Sequence, residues 1–359
     1  MAPAMDESPL AAHILNAALA AAHKAGDTVR GSTSPNPPVG AVLVTATGEI
    51  CGIGATEPPG GRHAEIVALE HAGAAARGAH AVVTLEPCNH FGRTGPCAQA
   101  LIDAGVASVH YVHADPNAIA AGGAEKLRAA GIPVFHLEAA GPDEGEMHND
   151  ELRPWLHATA MGRVHVTLKF AQSVDGFSAA IDGSSQWITG TAAREQVHLD
   201  RSKRDAIIIG TGTALADNPS LTARYTTEAG ETAWYQQQPQ RVVIGASDLT
   251  ECSNLQRLGY AQYPDIPTAL TALWEQGCRD VLVEGGPKLL SAFVAQGYAD
   301  AVQAYIAPLL LGQGRSVLES AVGESLAEGM RLQISDVEIL GGDVLLTMVP
   351  GRTPENQQQ

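Results

Sequence analysis

From Glu86 to Cys97 the chain reads EPCNHFGRTGPC, and His63-Ala64-Glu65 lies upstream of it. Thiolate sulfur and imidazole nitrogen are zinc donors, and a catalytic zinc site takes three protein ligands while keeping a position for water. His63, Cys88 and Cys97 supply such a set. Zinc lowers the pKa of its water to about 7. Glu65, two residues after the histidine, could take that proton and pass it to a departing amino group. Pro96 predicts a helix starting at Cys97, where the helix dipole favours a thiolate. Plainer readings compete. An H-x-E pair is common, irregularly spaced cysteines are often only buried thiols, and His90 could be a ligand in place of His63. The order of the parts, each at a predicted helix start or strand end, favours a catalytic metal. A disulfide is disfavoured, because the five cysteines (Cys51, Cys88, Cys97, Cys252, Cys278) are few and odd in number.

The elements around these residues alternate. Apolar residues at helical spacing mark Pro9 to Gly26. Two paired strands follow in VGAVLVT and EICGIGA, then a helix from His63 and a strand, AVVTLEPC, running into Cys88. A helix from Pro96 to Gly105, the strand SVHYVHAD, the helix AEKLRAAG and the strand VFHL complete an α/β layered domain. Asp143 to Gly162 reads as a connecting helix. A second alternation then runs VHVTLKFAQS, TAAREQVHLDRSK, DAIIIG, RVVIG, PTALTALWEQG, VLVEGG, PKLLSAFVAQG, AVQAYIAP and a β-hairpin around Gly341-Gly342. YTTEAGETAWYQQQPQ reads as a polar loop and the tail TPENQQQ as disordered. The expected domains are 1–158 and 159–359.

Composition limits the partners. The net charge is −17, from 22 basic and 39 acidic residues, so the surface repels phosphate backbones and nucleic-acid binding is not expected. A small phosphorylated substrate needs only a local basic pocket. No apolar run approaches the ~20 residues of a membrane span. The start MAPAMDESPLAAHIL lacks the basic region and apolar core of a signal peptide. A cytoplasmic protein with no membrane partner is expected.

Zinc deaminases carry H-x-E followed by P-C-x-x-C. Here His63, Glu65 and Pro87-Cys88 fit, but eight residues separate the cysteines instead of two. With Ser34-Pro-Asn-Pro-Pro-Val-Gly40, Thr84-Leu-Glu-Pro-Cys-Asn-His-Phe-Gly-Arg-Thr-Gly-Pro-Cys97 and Asp115-Pro-Asn117, the N-terminal half resembles the bifunctional pyrimidine deaminase/reductases of riboflavin biosynthesis. The resemblance implies a cytidine-deaminase-like three-layer α/β/α domain. In it Asn36 holds the pyrimidine, and His90 and Arg93 line the pocket of a phosphorylated ribosylaminopyrimidine. Thr56 departs from the pattern, standing where a histidine is usual.

The resemblance continues through KFAQSVDG (169–176), Ser185-Gln-Trp-Ile-Thr189, Thr213-Ala-Leu-Ala-Asp-Asn-Pro-Ser-Leu-Thr-Ala-Arg224, VEGGP (283–287) and Tyr305-Ile-Ala-Pro-Leu-Leu-Leu-Gly312. It implies a dihydrofolate-reductase-like α/β domain using NADPH. By it, Lys169, Ser185, Arg201, Leu221, Arg224 and Glu284 contact substrate. Gln172, Trp187, Thr213, Asp217, Gly285, Gly286, Pro287 and Lys288 contact the cofactor. A glycine pair at a strand-to-helix turn also lets backbone amides approach a pyrophosphate. Three departures are Gln172 for a small residue, Phe177 for an arginine, and Gly245-Ala246 for an Asp-Ser pair. The family further implies a homo-oligomer, dimer or tetramer. The alternative is a deaminase of a nucleoside-like substrate whose second domain binds a cofactor or ligand without reducing anything.

Overall fold

The computed structural model describes residues 8–90, 95–117, 121–137 and 150–351. Arg93, residues 143–149 of the expected connecting helix and the tail TPENQQQ lie outside them. The chain forms two units, Met1–Ala160 and Met161–Gln359. No helix among the described residues is long and apolar enough to cross a membrane.

The first unit contains α1 (Ala12–Thr28), β1 (Gly40–Val44), β2 (Ile50–Ala55), α2 (Ala64–Ala72), β3 (His80–Leu85), α3 (Cys97–Ala104), β4 (Ser108–His113), α4 (Gly123–Ala129), β5 (Val134–His136) and α5 (Arg153–Met161). Its sheet has the order β2-β1-β3-β4-β5, antiparallel at β2-β1-β3 and parallel onward. Strand residues alternate between faces, and the core divides accordingly. Ala41, Leu43, Ala81 and Val83 pack with Ala64, Ala68 and Leu101, whereas Val42, Val44 and Val82 pack with Ala18 and Ala22 of α1. The result is an α/β/α sandwich. β3 stops at Leu85, short of Cys88, because Pro87 has no N–H to extend the ladder. The described part of the connecting helix begins only at Arg153, with the Asp150 carboxylate accepting from Leu152 N at 2.6 Å just before it.

The second unit contains β6 (His165–Ser173), β7 (Phe177–Ala180), α6 (Thr191–Ser202), β8 (Ala206–Gly210), α7 (Thr211–Asp217), β9 (Arg224–Thr226), β10 (Thr232–Trp234), β11 (Gln240–Ile244), α8 (Ser253–Leu258), β12 (Ala261–Tyr263), α9 (Ile266–Glu275), β13 (Asp280–Val283), α10 (Pro287–Ala295), β14 (Ala301–Ala307), β15 (Gly314–Ser316), β16 (Leu332–Leu340) and β17 (Asp343–Pro350). Eight strands form one sheet, β12-β11-β8-β13-β6-β14-β17-β16, parallel as far as β14 and antiparallel beyond. The continuous apolar run AIIIG follows from burial on both faces. Ala206 and Ile208 face one core, and Ile207 and Ile209 the other. The segment read as a polar loop contains a hairpin, with Thr226 opposite Thr232 and Arg224 opposite Trp234. Its Thr, Tyr and Trp residues suit a strand pair, and Gly230 at φ 79° makes the turn.

The packing of α2 on β2 is flush. A Cβ on Gly52 would lie 2.2 Å from Ala68 O, and one on Gly54 2.1 Å from Ala64 O. Because these obstacles are backbone, no side-chain rotation relieves them. Gly54→Val should destabilise the first unit by about 1–3 kcal/mol and lower its melting temperature in calorimetry. An unchanged melting temperature would refute the flush contact.

Candidate active sites

α2 begins at Ala64 with His63 as the residue just before it, and α3 begins at Cys97 with Pro96 just before it. Cys88 follows the end of β3 and is fixed by the α3 start, where Cys97 N donates to Cys88 Sγ at 3.4 Å and Ala98 N donates to Cys88 O at 3.2 Å. His63 Nδ1 is 3.6 Å from Cys88 Sγ and 3.3 Å from Cys97 Sγ. All three donor atoms lie within 4.8 Å of one another. Both cysteines are free thiols, and buried.

The electrostatics of this set suit a divalent cation. A hydrogen bond from Cys97, with help from His63, pulls the Cys88 thiol down to about 4, while the same contact and burial push Cys97 up. His63 is raised by its hydrogen bond to Cys88. Two sulfurs and an imidazole thus compete for protons that a cation would displace, leaving two thiolates and a neutral imidazole. The residues fit zinc.

Glu65 sits in the first turn of α2 and is only 5 % exposed. Burial, reinforced by the charge of Cys88, raises its carboxyl to about 7, and its side chain bonds toward Cys97. A carboxyl near 7 can both take and release a proton at neutral pH. Asn36 lies in the loop before β1, its N–H bonded to Thr33 O at 2.9 Å. His90 follows Cys88 by two residues, and its buried Nδ1 has no hydrogen-bond partner among the described residues. Arg93 lies outside the described residues. Thr56 is buried and closes on the Asn36 loop, exchanging its N–H with Val39 O at 3.0 Å and accepting Val39 N on Oγ1 at 3.2 Å.

In the second unit, Lys169, Arg201 and Glu284 come together. Arg201 Nε and Nη2 donate to the two Glu284 oxygens at 2.6 and 2.7 Å, and its Nη1 donates to Thr222 O at 3.1 Å. Burial alone would raise Glu284. The charges of Arg201 and Lys169 outweigh it and hold the carboxyl down to about 2. The Lys169 Nζ lies 5.3 Å from the Tyr305 ring centroid, and burial pushes its ammonium down. Leu221 is buried at φ 49°. This left-handed conformation costs a non-glycine residue on the order of 1–3 kcal/mol. It is held by the Thr222 contact and by Arg241 Nε donating to Ser220 O at 2.9 Å. Arg224 is exposed at the start of β9.

The residues read as cofactor-binding occupy two helix starts. α7 follows β8 and α10 follows β13, each preceded by a glycine without a side-chain cap. The backbone N–H groups there are available to an anion. A Cβ on Gly286 would lie 3.7 Å from Thr213 Oγ1, so the two starts adjoin, with Gly285, Pro287 and exposed Lys288 around them. The arrangement fits a dinucleotide phosphate. Trp187 is 69 % exposed with Arg194 stacked on its ring at 4.8 Å, and Ser185 and Asp217 are exposed too. Gln172 is in β6 opposite Ile306. The Gly245 departure has a structural reason. Gly245 is at φ 125°, and a Cβ there would meet Thr211 Oγ1 at 2.8 Å, at the start of α7.

Two family models match the chain: the cytidine and deoxycytidylate deaminase zinc-binding region over residues 13–113, and the RibD C-terminal domain over 164–346. A riboflavin biosynthesis protein RibD of Corynebacterium ammoniagenes is 54 % identical, with 90 % of this chain and 95 % of that protein aligned. The chain belongs to the RibD family. The RibD of Mycobacterium tuberculosis is 46 % identical over 89 % of this chain and 93 % of its own. Among solved structures, Acinetobacter baumannii RibD is similar at TM-score 0.78 and 34 % identity, covering 95 % of this chain and 99 % of that one. A Thermotoga maritima deaminase/reductase is similar at TM-score 0.78 and 30 % identity, covering 94 % and 99 %. As a RibD, the chain is a bifunctional zinc deaminase and NADPH-dependent reductase of riboflavin biosynthesis, and its two units have the cytidine-deaminase-like and dihydrofolate-reductase-like folds.

Sequence reasoning passed over several residues of these RibD sites. Glu86 accepts Gly122 N and Ala124 N at 3.2 and 3.0 Å, tying the start of α4 to the strand end that leads to Cys88. His198 donates from Nδ1 to Thr222 O at 2.9 Å, beside Arg201. Its i, i+3 spacing from Arg201 on one helix face was the available signal.

Glu284 carries a pH signature. Its folded pKa lies below the ordinary ~4.3 of a glutamate, so the Arg201 pair contributes stability above that value and loses it as pH falls toward about 2. In urea titrations, Glu284→Gln should cost about 3 kcal/mol at pH 7, and the gap to the parent protein should narrow at pH 3. An equal gap at both would show that the carboxylate is not held ionised by this pair.

Proposed function

We propose that the first unit, assigned as 1–158, hydrolyses 2,5-diamino-6-(5-phosphoribosylamino)pyrimidin-4(3H)-one with release of ammonia. The second, assigned as 159–359, then reduces the ribosyl side chain to give 5-amino-6-(5-phosphoribitylamino)uracil. The observation that carries the first step is a buried, proton-exchanging Glu65 beside the His63–Cys88–Cys97 donor set. When bound, zinc supplies the Lewis acidity that makes the attacking water acidic near neutral pH. Glu65 accepts the proton of that water and returns it to the departing amino nitrogen. Asn36 holds the pyrimidine, and His90 and Arg93 line its pocket.

When bound, NADPH supplies the hydride that reduces C1′ of the ribosyl unit. The α7 and α10 starts, with Thr213 and Gly286, take its phosphates. Gln172, Trp187, Asp217, Gly285, Pro287 and Lys288 lie along the rest of it. Glu284, kept ionised by Arg201, accepts hydrogen bonds from the pyrimidine N–H groups. Arg224, which is exposed, takes the ribose phosphate. Ser185, Leu221 and Lys169 complete the substrate contacts. The Arg201 fork is directed at Glu284, which makes Arg201 chiefly the residue that orients that carboxylate. A cytoplasmic location suits thiolates that must stay reduced to hold a metal.

The test is a paired assay. Glu65→Gln should keep about one zinc per chain and lose at least ~100-fold in ammonia release, while NADPH oxidation with the deaminated pyrimidine continues. A chelator should stop the first activity and spare the second. Undiminished ammonia release by the variant would reject the role of Glu65, and absence of NADPH oxidation in the parent protein would reject the second step.

Self-association is supported by the sheet edge. Ile334, Val337 and Ile339 of edge strand β16 are 53, 53 and 71 % exposed. They pair with Met348, Leu346 and Val344, so all three lie on one face. An edge of this kind is ordinarily covered, and a second copy in a dimer or tetramer would cover it. Val337→Lys with Ile339→Lys should shift sedimentation to the monomer. A parent protein that already sediments as a monomer would reject this assignment.

A further inference from the structure

The loop from Val29 to Val39 carries Asn36 and is rich in proline. Pro35, Pro37 and Pro38 have no N–H. Its internal bonds include Asn36 N to Thr33 O at 2.9 Å and Val39 N to Pro37 O at 3.0 Å. The carbonyl of Pro35, the residue just before Asn36, is met instead by the indole of Trp155, whose Nε1 donates to it at 2.9 Å across 120 positions of sequence.

Trp155 is itself fixed. It lies on α5, is 9 % exposed, and packs in the same core as Leu152, Val39, Ala64 and Leu85. The segment leading into α5 closes on the loop from a second side. Glu151 Oε2 bonds to His23 Nδ1 of α1 at 2.7 Å. A Cβ on Gly26 would lie 2.6 Å from Pro38 O and 2.9 Å from Glu151 Cγ, so α1, the loop and Glu151 meet without a gap. With Thr56 on Val39 and Gly26 against Pro38, the end of the loop is gripped, and the indole grips it next to Asn36.

We infer that Trp155 is a positioning residue of the deaminase. Its indole N–H fixes the Pro35 carbonyl and so sets the direction of Asn36 toward the pyrimidine. The inference rests on the reading of Asn36 as a pyrimidine contact. It also makes α5 part of the deaminase site, although the matched deaminase region ends at residue 113. Trp155 touches no reacting atom, and its effect falls on substrate placement.

Trp155→Phe removes the donor and keeps an aromatic ring. Loss of one buried hydrogen bond corresponds to a change of about five- to tenfold. The variant should therefore raise the deaminase KM by about five- to tenfold with a smaller change in kcat, while zinc content and reductase activity stay at parent levels. Trp155→His, which returns a ring N–H, should recover part of the loss. Asn36→Ala should raise KM more, and the Trp155→Phe, Asn36→Ala double variant should be no worse than Asn36→Ala alone, because Trp155 acts through Asn36. An unchanged KM in Trp155→Phe, no recovery in Trp155→His, or additive losses in the double variant would overturn the inference. Failure of the underlying reading is told apart by Asn36→Ala alone, which would then leave KM unchanged. Should Trp155→Phe not fold, Trp155→His and the Asn36→Ala cycle built on it decide the question.

Discussion

The close approach of helix α2 to strand β2 is the constraint on which the deaminase unit depends. Gly52 and Gly54 leave no room for a Cβ, and the helix backbone rests on them directly. That contact fixes where α2 begins, and its beginning carries both His63 and Glu65. A second close contact acts the same way on the two cysteines of the donor set. The Cβ position of Gly123 falls 1.7 Å from Pro87 O, so α4 presses on the turn that leads to Cys88, and the first amides of α3 then grip that cysteine. Helix starts are suited to this work because their free N–H groups stabilise thiolates. The site is therefore assembled from backbone, with the side chains delivered by it.

The reductase unit solves a different problem, that of keeping charge inside a largely parallel sheet. Arg204 is 4 % exposed and is satisfied by Asp200, Asp280 and Thr167, with Nη1 to Asp280 Oδ1 at 2.7 Å. Arg201, one turn nearer the α6 start, is satisfied by Glu284. Arg201 lies in the last turn of α6 and Arg204 just beyond it, and each finds a carboxylate at an end of β13, Glu284 for Arg201 and Asp280 for Arg204. An isolated buried charge would be strongly unfavourable. Pairing makes each tolerable, and at Glu284 it also leaves a carboxylate that stays ionised through the physiological range.

Much of this could be read from the sequence. The grouping of His63, Cys88 and Cys97, the helix starts at His63 and Pro96, the strand alternation and the final hairpin depend on local patterns of period 2 or 3.6, on spacing and on turn residues, which a single chain displays. The remainder depends on contacts between distant positions. Trp155 on Pro35, Glu284 on Arg201 and Thr56 on Val39 carry no local signature. The polar stretch after Arg224 was read as a loop because its glutamines and glycine dominate its composition. Its Thr226–Thr232 pairing emerges only once the strands are set side by side. Glu65 stands out from spacing as a candidate proton carrier, but its raised pKa does not, since burial is a property of the fold.

Two of the departures from the family pattern, Gly245 and Thr56, each have a local contact that accompanies them. Gly245 stands where a side-chain-bearing residue is usual, and a Cβ there would strike Thr211, the first residue of α7. The glycine leaves the room that the threonine side chain takes. Thr56 stands where a histidine is usual. A buried histidine there would need a partner for each ring nitrogen, whereas threonine spends its one hydroxyl on Val39 N and its backbone on Val39 O. The loop that carries Asn36 is thus fastened by Thr56 at its far end and by Trp155 at Pro35, two contacts that hold it without either side chain belonging to the loop itself.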